Sequence, residues 1–158
     1  MVRWVALIMT VGVLSYWILE PSGEWGLRRT MTSDVRHARQ LAEVMLVQQQ
    51  ALYTWAKANG GVMGAVPAAS LQLPAPWSTP ADVFSYVGMT GAGPVAVTYY
   101  SGRRFPPGAV VGAIAEVQHY PGTIGMAGSN FLLSPAGQTT PLPAGIPQGF
   151  AAVAEVVE

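Results

Sequence analysis

The chain has 158 residues, of which 51% are hydrophobic and 10% charged, and its eight basic residues balance eight acidic ones. Soluble domains carry about 25% charged residues, so this one is unusually poor in charge. It lacks cysteine, which excludes a disulfide scaffold, a thiolate metal site and a cysteine nucleophile. No surplus of Lys and Arg is present to neutralise phosphates, so nucleic acid is not an expected partner. The apolar content excludes an acidic disordered chain.

Residues 4–19 contain no charged side chain. As a helix they would span roughly 24 Å, against a bilayer core of about 30 Å. Val2 and a snorkelling Arg3 lengthen the run. Leu7, Ile8, Val11, Leu14 and Leu19 make it apolar. Trp4 stands at one end and Tyr16 and Trp17 at the other, where aromatic rings suit the two membrane interfaces. No small-x-small cleavage triplet follows, so an uncleaved transmembrane anchor over residues 1–20 is expected in place of a signal peptide. Arg28, Arg29 and Arg36 follow the span while Arg3 alone precedes it. That count favours a cytoplasmic C-terminal part.

Pro21 and Gly23 predict a break, and residues 21–32 a linker. Thr30 to Ser33 offer N-caps, with Asp34 in the first turn, and a long helix is expected over 33–59. Val35, Ala38, Leu41, Ala42, Met45, Leu52, Trp55 and Ala56 form its apolar stripe. Leu41, Met45, Leu52 and Trp55 are expected to pack the helix on a sheet. Arg36, Arg39, Glu43, Gln48 and Gln50 are assigned to the other face. Gly60 and Gly61 end the helix. Residues 62–80 hold four prolines and read as an ordered loop, pinned by Leu71, Leu73 and Trp77. Strands are expected at 83–87 and 95–100 around a Gly-rich turn, 88–94. A short helix follows over 108–118. Residues 123–126 and 130–133 form a hairpin, 134–149 a Pro/Gly-rich stretch, and 150–157 a last strand. Residues 33–158 are therefore an α+β head: a long amphipathic helix on a small, mostly antiparallel sheet, a pilin-like layout.

No catalytic motif stands out. His37 sits among arginines on the long helix, and His119 ends an element beside Tyr120. Neither has a local nucleophile or orienting carboxylate. With two histidines, no cysteine and dispersed carboxylates, no metal or other cofactor is expected. The glycines at 88, 91 and 93 and at 122, 125 and 128 lack the order of a phosphate loop. Arg103 and Arg104 read as a solvated pair on a turn. Tyr99 and Tyr100 must face opposite sides of a strand. A head with so little charge is expected to act through an interaction surface.

The sequence carries Ser70-Leu71-x-Leu73-Pro74 with Trp77 nearby, then Tyr99-Tyr100-Ser101. Further on stand Gly128, Asn130, Ser134, Pro135 and Gly137, followed by Leu142-Pro143 and Ile146-Pro147-Gln148-Gly149. In order and spacing these resemble the PilM family of thin type IV pilus operons, carried by conjugative plasmids and integrative elements. Gln148 departs from the resemblance, since an acidic residue is expected there. The resemblance implies a single-pass bacterial inner-membrane protein with a periplasmic head, needed for assembly of a conjugative pilus. It implies partners among the other pilus-assembly proteins and the lipid bilayer, with self-association open, and it transfers no catalytic residue. It also implies an N-in orientation, against the arginine count. The prepilin cleavage signature is missing. Two alternatives stay open: a minor pilin-like subunit or adhesin within the fibre, and a tethered cell-wall hydrolase using Asp82 and Glu116.

Overall fold

A computed structural model describes residues 22–117 and 123–158. The expected anchor residues Trp4, Leu7, Ile8, Val11, Leu14, Tyr16, Trp17 and Leu19 lie outside the described residues, as does His119. Among the described residues no helix is long and apolar enough to cross a membrane. The chain divides into two compact units, Met1–Asp34 and Val35–Glu158; the packing described below belongs to the second.

Helix α1 spans Ser22–Ala58. It begins earlier than the expected 33, and the linker expected over 21–32 is helical from Ser22 on. A glycine inside a helix costs about 1 kcal/mol relative to alanine, so Gly23 weakens the first turn without breaking it. At the other end the Asn59 side chain and backbone N–H both donate to the Trp55 carbonyl, at 2.8 and 2.9 Å. Gly61 then takes a positive φ of 93°, and Lys57 lies in the last turn, where a cation suits the helix dipole.

Two further strands appear within stretches expected to be loops. Strand β1 (Gly64–Val66) follows α1, and β6 (Thr139–Pro141) interrupts the Pro/Gly-rich stretch. At three residues each they are too short for a period-2 pattern to show. Strands β2 (Val83–Thr90) and β3 (Gly93–Tyr100) are longer than expected, because their turn is only Gly91 and Ala92. Helix α2 is Pro107–Glu116, with Pro106 as its N-cap residue. Strands β4 (Thr123–Ala127), β5 (Phe131–Leu133) and β7 (Ala151–Val156) complete the fold.

The strands form one sheet in the order β1-β2-β3-β7-β4-β5-β6, with antiparallel neighbours throughout. The last strand of the chain is thus the central strand, joining the β1–β3 half to the β4–β6 half.

Alternation gives the sheet two distinct faces. On one, Val83, Tyr100, Ala151 and Val153 pack with Ala38, Leu41, Ala42 and Met45 of α1 and with Val110, Val111 and Ile114 of α2. Further along the same face, Val87 and Ala96 pack with Leu52 and Ala56, and Leu71 joins them from the loop. Val35 lies off the buried stripe, 64% exposed. Gln48, assigned from the sequence to the solvent face, is buried, and so is Gln49. The turn of the helix between Met45 and Leu52 places both against the sheet, and hydrogen bonds compensate part of the cost: Gln48 Nε2 donates to Ser85 Oγ and Gln49 Nε2 to the Ala96 carbonyl.

Candidate interaction surface

The opposite face carries the unusual features. Leu142 and Ile146, from the chain between β6 and β7, bury against Val95, Val97, Ala127, Leu132, Ala152 and Ala154. Pro143 is buried beside them. It sits so close to β2 that a Cβ at Gly88 would run into its ring. Glycine there permits the segment to lie flat on the strand.

Most residues of the candidate motif build the turns that hold this cover. Gly128 N–H donates to the Phe131 carbonyl at 2.7 Å, closing the β4–β5 hairpin. The Asn130 carbonyl accepts from Leu142 N–H at 2.9 Å. Ser134 receives the Gly137 N–H on its carbonyl and the Gln138 N–H on its hydroxyl, at 2.9 and 3.1 Å. Gly149, with a φ of 81°, donates to the Ala127 carbonyl at 2.8 Å. Pro135, Pro147 and Gln148 are exposed on these turns.

Next to the cover the face is bare. The β2–β3 register sets Phe84 opposite Tyr99, with ring centroids 5.5 Å apart and 20° between planes. Phe150 continues the row, 6.4 Å from Tyr99. Phe84 is 44% exposed, and Tyr99 and Phe150 are half-buried. Burial raises the Tyr99 hydroxyl above its ordinary pKa of 10.0, with a smaller push from Tyr86. The sequence from 117 to 154 contains no Asp, Glu, Lys or Arg, and its residues Thr123 to Ala154 supply β4, β5, β6, most of β7 and the cover. An exposed aromatic row in uncharged surroundings can do little chemistry, but it can bury area against a partner.

The family model for PilM matches residues 23–153. The chain belongs to the PilM family. The match covers all but the first residue of α1 and runs through the sheet into β7, and it ties the PilM chain to pilus biogenesis. No curated protein and no solved structure matches the chain.

The other expected residues fall into separate places. Leu41, Met45 and Leu52 are buried under α1. Trp55 is half-buried; it lines a groove of about 550 Å³ between the end of α1 and the loop at Ser70 to Pro74, together with Ala51 and Ala58. Arg103 and Arg104 are both exposed, as a solvated pair on a turn should be; Arg104 also reaches His37 at 3.5 Å and lies over the Phe105 ring. Asp82 precedes β2 and Glu116 ends α2, both exposed. Among the described residues no three His, Cys, Asp or Glu gather as a metal site would require.

Sequence reasoning separated Tyr99 from the buried Tyr100 but missed Phe84 and Phe150 as its neighbours. The missing signal was the two-residue turn at Gly91 and Ala92. Once the turn is that short, pairing Thr90 with Gly93 carries the register back to Phe84 and Tyr99.

Proposed function

We propose that this PilM-family chain is a non-enzymatic, single-pass inner-membrane component of conjugative pilus assembly whose head works in the periplasm. The charge-free run over residues 4–19 supplies the anchor. The head binds other pilus-assembly proteins through the uncharged sheet face. The observation that carries this reading is the exposed row of Phe84, Tyr99 and Phe150. The test places a photo-crosslinking phenylalanine analogue at Phe84 in cells assembling the pilus. Crosslinks to another pilus-assembly protein are expected, and their absence refutes the contact. A single cysteine at Ala92, which is exposed on the β2–β3 turn, reports location. Labelling of intact cells by an impermeant thiol reagent places the head in the periplasm, while labelling only after lysis places it in the cytoplasm.

The long helix on an antiparallel sheet also supports a second reading, a minor pilin-like subunit within the fibre. Recovery of the chain in sheared pili would favour that reading over an assembly factor.

A further inference from the structure

Helix α1 and the loop beyond β1 meet along a groove of about 550 Å³, within the ~300–1,000 Å³ of small-molecule sites. Leu71 builds it. Its side chain is buried with Leu52 and Ala56 of α1, which ties the loop to the helix. Its neighbours Ser70 and Gln72 are exposed and line the groove. On the other wall stand Gln50 and Thr54 of α1 and Asn59 just past its end, all exposed. Trp55, half-buried, is the one aromatic ring among the described lining residues, and none of them is charged. The groove is thus a preformed cleft with five accessible, uncharged polar side chains around a single indole.

From this we infer that the groove binds an uncharged carbohydrate, with a sugar ring laid on Trp55 and its hydroxyls on the surrounding amides and hydroxyls. Each other class of occupant meets an obstacle. A charged ligand finds no counter-ion on these walls. An aliphatic chain would cover five polar side chains and offer them no hydrogen bond, which costs free energy for each. An extended peptide gains its affinity from main-chain hydrogen bonds at a sheet edge. Here one wall is a helix whose carbonyls are already engaged, that of Trp55 by Asn59 and that of Gln50 by the Thr54 hydroxyl. A sugar meets both halves of the lining. The face of an aromatic ring is negative, and pyranose C–H bonds, polarised by the neighbouring oxygens, turn their positive ends toward it. Sugar hydroxyls both donate and accept, as do the Gln50 and Gln72 amides and the Ser70 hydroxyl. Asn59 Nδ2 is committed to the Trp55 carbonyl, so Asn59 contributes its Oδ1 as an acceptor. The site goes beyond the assembly reading and is separate from it, because α1 packs on the sheet face opposite Phe84 and Tyr99.

The test is an amide-resolved NMR titration of the full chain in dodecylphosphocholine micelles, which carry no sugar, with chitotriose and with maltotriose. Saturable shifts are expected at Ala51, Ala58 and Gln72. Trp55→Ala and Gln72→Ala, the latter on the exposed loop where the fold does not depend on it, are each expected to weaken binding about tenfold, with the β7 amides unmoved. Saturation by chitotriose alone assigns the site to acetamido sugars of the cell-wall kind; saturation by both probes assigns it to the sugar ring itself. No saturation by either probe overturns the inference. An affinity unchanged in Trp55→Ala overturns it as well, because the indole is the platform. So does N-acetyl-alanyl-alanine methylamide saturating the same amides at lower concentration, since a peptide would then be the ligand. None of these failures touches the assembly reading, which stands or falls on crosslinking from Phe84.

Discussion

Gln48 of α1 and Ser85 of β2 meet across the helix–sheet interface at 2.9 Å, both buried, with the Gln48 carbonyl oxygen left over. Removing one member of such a pair leaves the other without its partner, which costs about 1–3 kcal/mol. Ser85→Ala should therefore destabilise the fold by that amount. Adding Gln48→Leu should recover most of the loss, because an apolar pair of similar shape carries no desolvation penalty. Urea unfolding of the two single variants and the double variant measures the coupling; purely additive losses would show that the bond contributes nothing.

Leu52 and Trp55 lie one turn apart on α1 but in different surroundings. Leu52 is fully buried against Val87 and Ala96, and Leu52→Ala should cost about 2–5 kcal/mol. Trp55 is half-buried at the wall of a groove. Its truncation should cost less than the ~3–5 kcal/mol of a fully buried tryptophan, and less than Leu52→Ala. Thermal unfolding compares the two directly. A larger loss for Trp55→Ala would mean that the groove is closed in solution.

Part of this architecture could be read from residue spacing. Ala38, Leu41, Met45 and Leu52 follow the helical period, and all are buried. Val83 and Val97 lie in runs with strand character and became β2 and β3. The start of α1 was not legible, because Gly23 weighs against a helix locally while adjoining turns carry it through. Nor were Gln48 and Gln49, whose burial depends on partners 37 and 47 residues away in sequence. The central place of β7 was equally hidden. Nothing local to Ala151–Val156 says that its neighbours are β3 and β4. The aromatic row is a product of register, which a turn two residues long decides.

β7 holds the two halves of the sheet together, so its amides should exchange with solvent most slowly. Hydrogen exchange should rank Val97 and Val153, fully buried in β3 and β7, far above the edge strands β1 and β6, which open locally at little cost. Equal protection at Ala65 would mean that β1 is covered by another element or partner.

Two glycines distinguish crowding from conformational freedom. Gly88→Ala forces a methyl into Pro143, and overpacking of this kind costs about 1–3 kcal/mol. At Gly91 an added Cβ meets nothing within 4 Å, and no positive φ is involved. Gly91→Ala should therefore change stability by less than about 0.5 kcal/mol. Chemical denaturation of both variants is the check. Equal losses would show that Pro143 moves aside and that the 142–149 cover is loose.

Tyr99 gives a dependence on pH whose direction is fixed by its surroundings. Burial first, and the Tyr86 charge second, raise its hydroxyl above 10.0 in the folded protein. The folded state therefore keeps this proton after the unfolded chain has begun to lose it. The associated stability is present in full below the unfolded pKa of about 10 and is lost as pH rises through the higher folded value. Unfolding free energy should fall above pH ~10, and Tyr99→Phe, which keeps the ring in the row, should remove that part of the decline. Absorbance titration of phenolate in the wild type and in Tyr99→Phe identifies the late-ionising group. If Tyr99 ionises with the exposed tyrosines, the row is more open to water than its burial implies, and a partner docking there would displace ordered water as well as cover the rings.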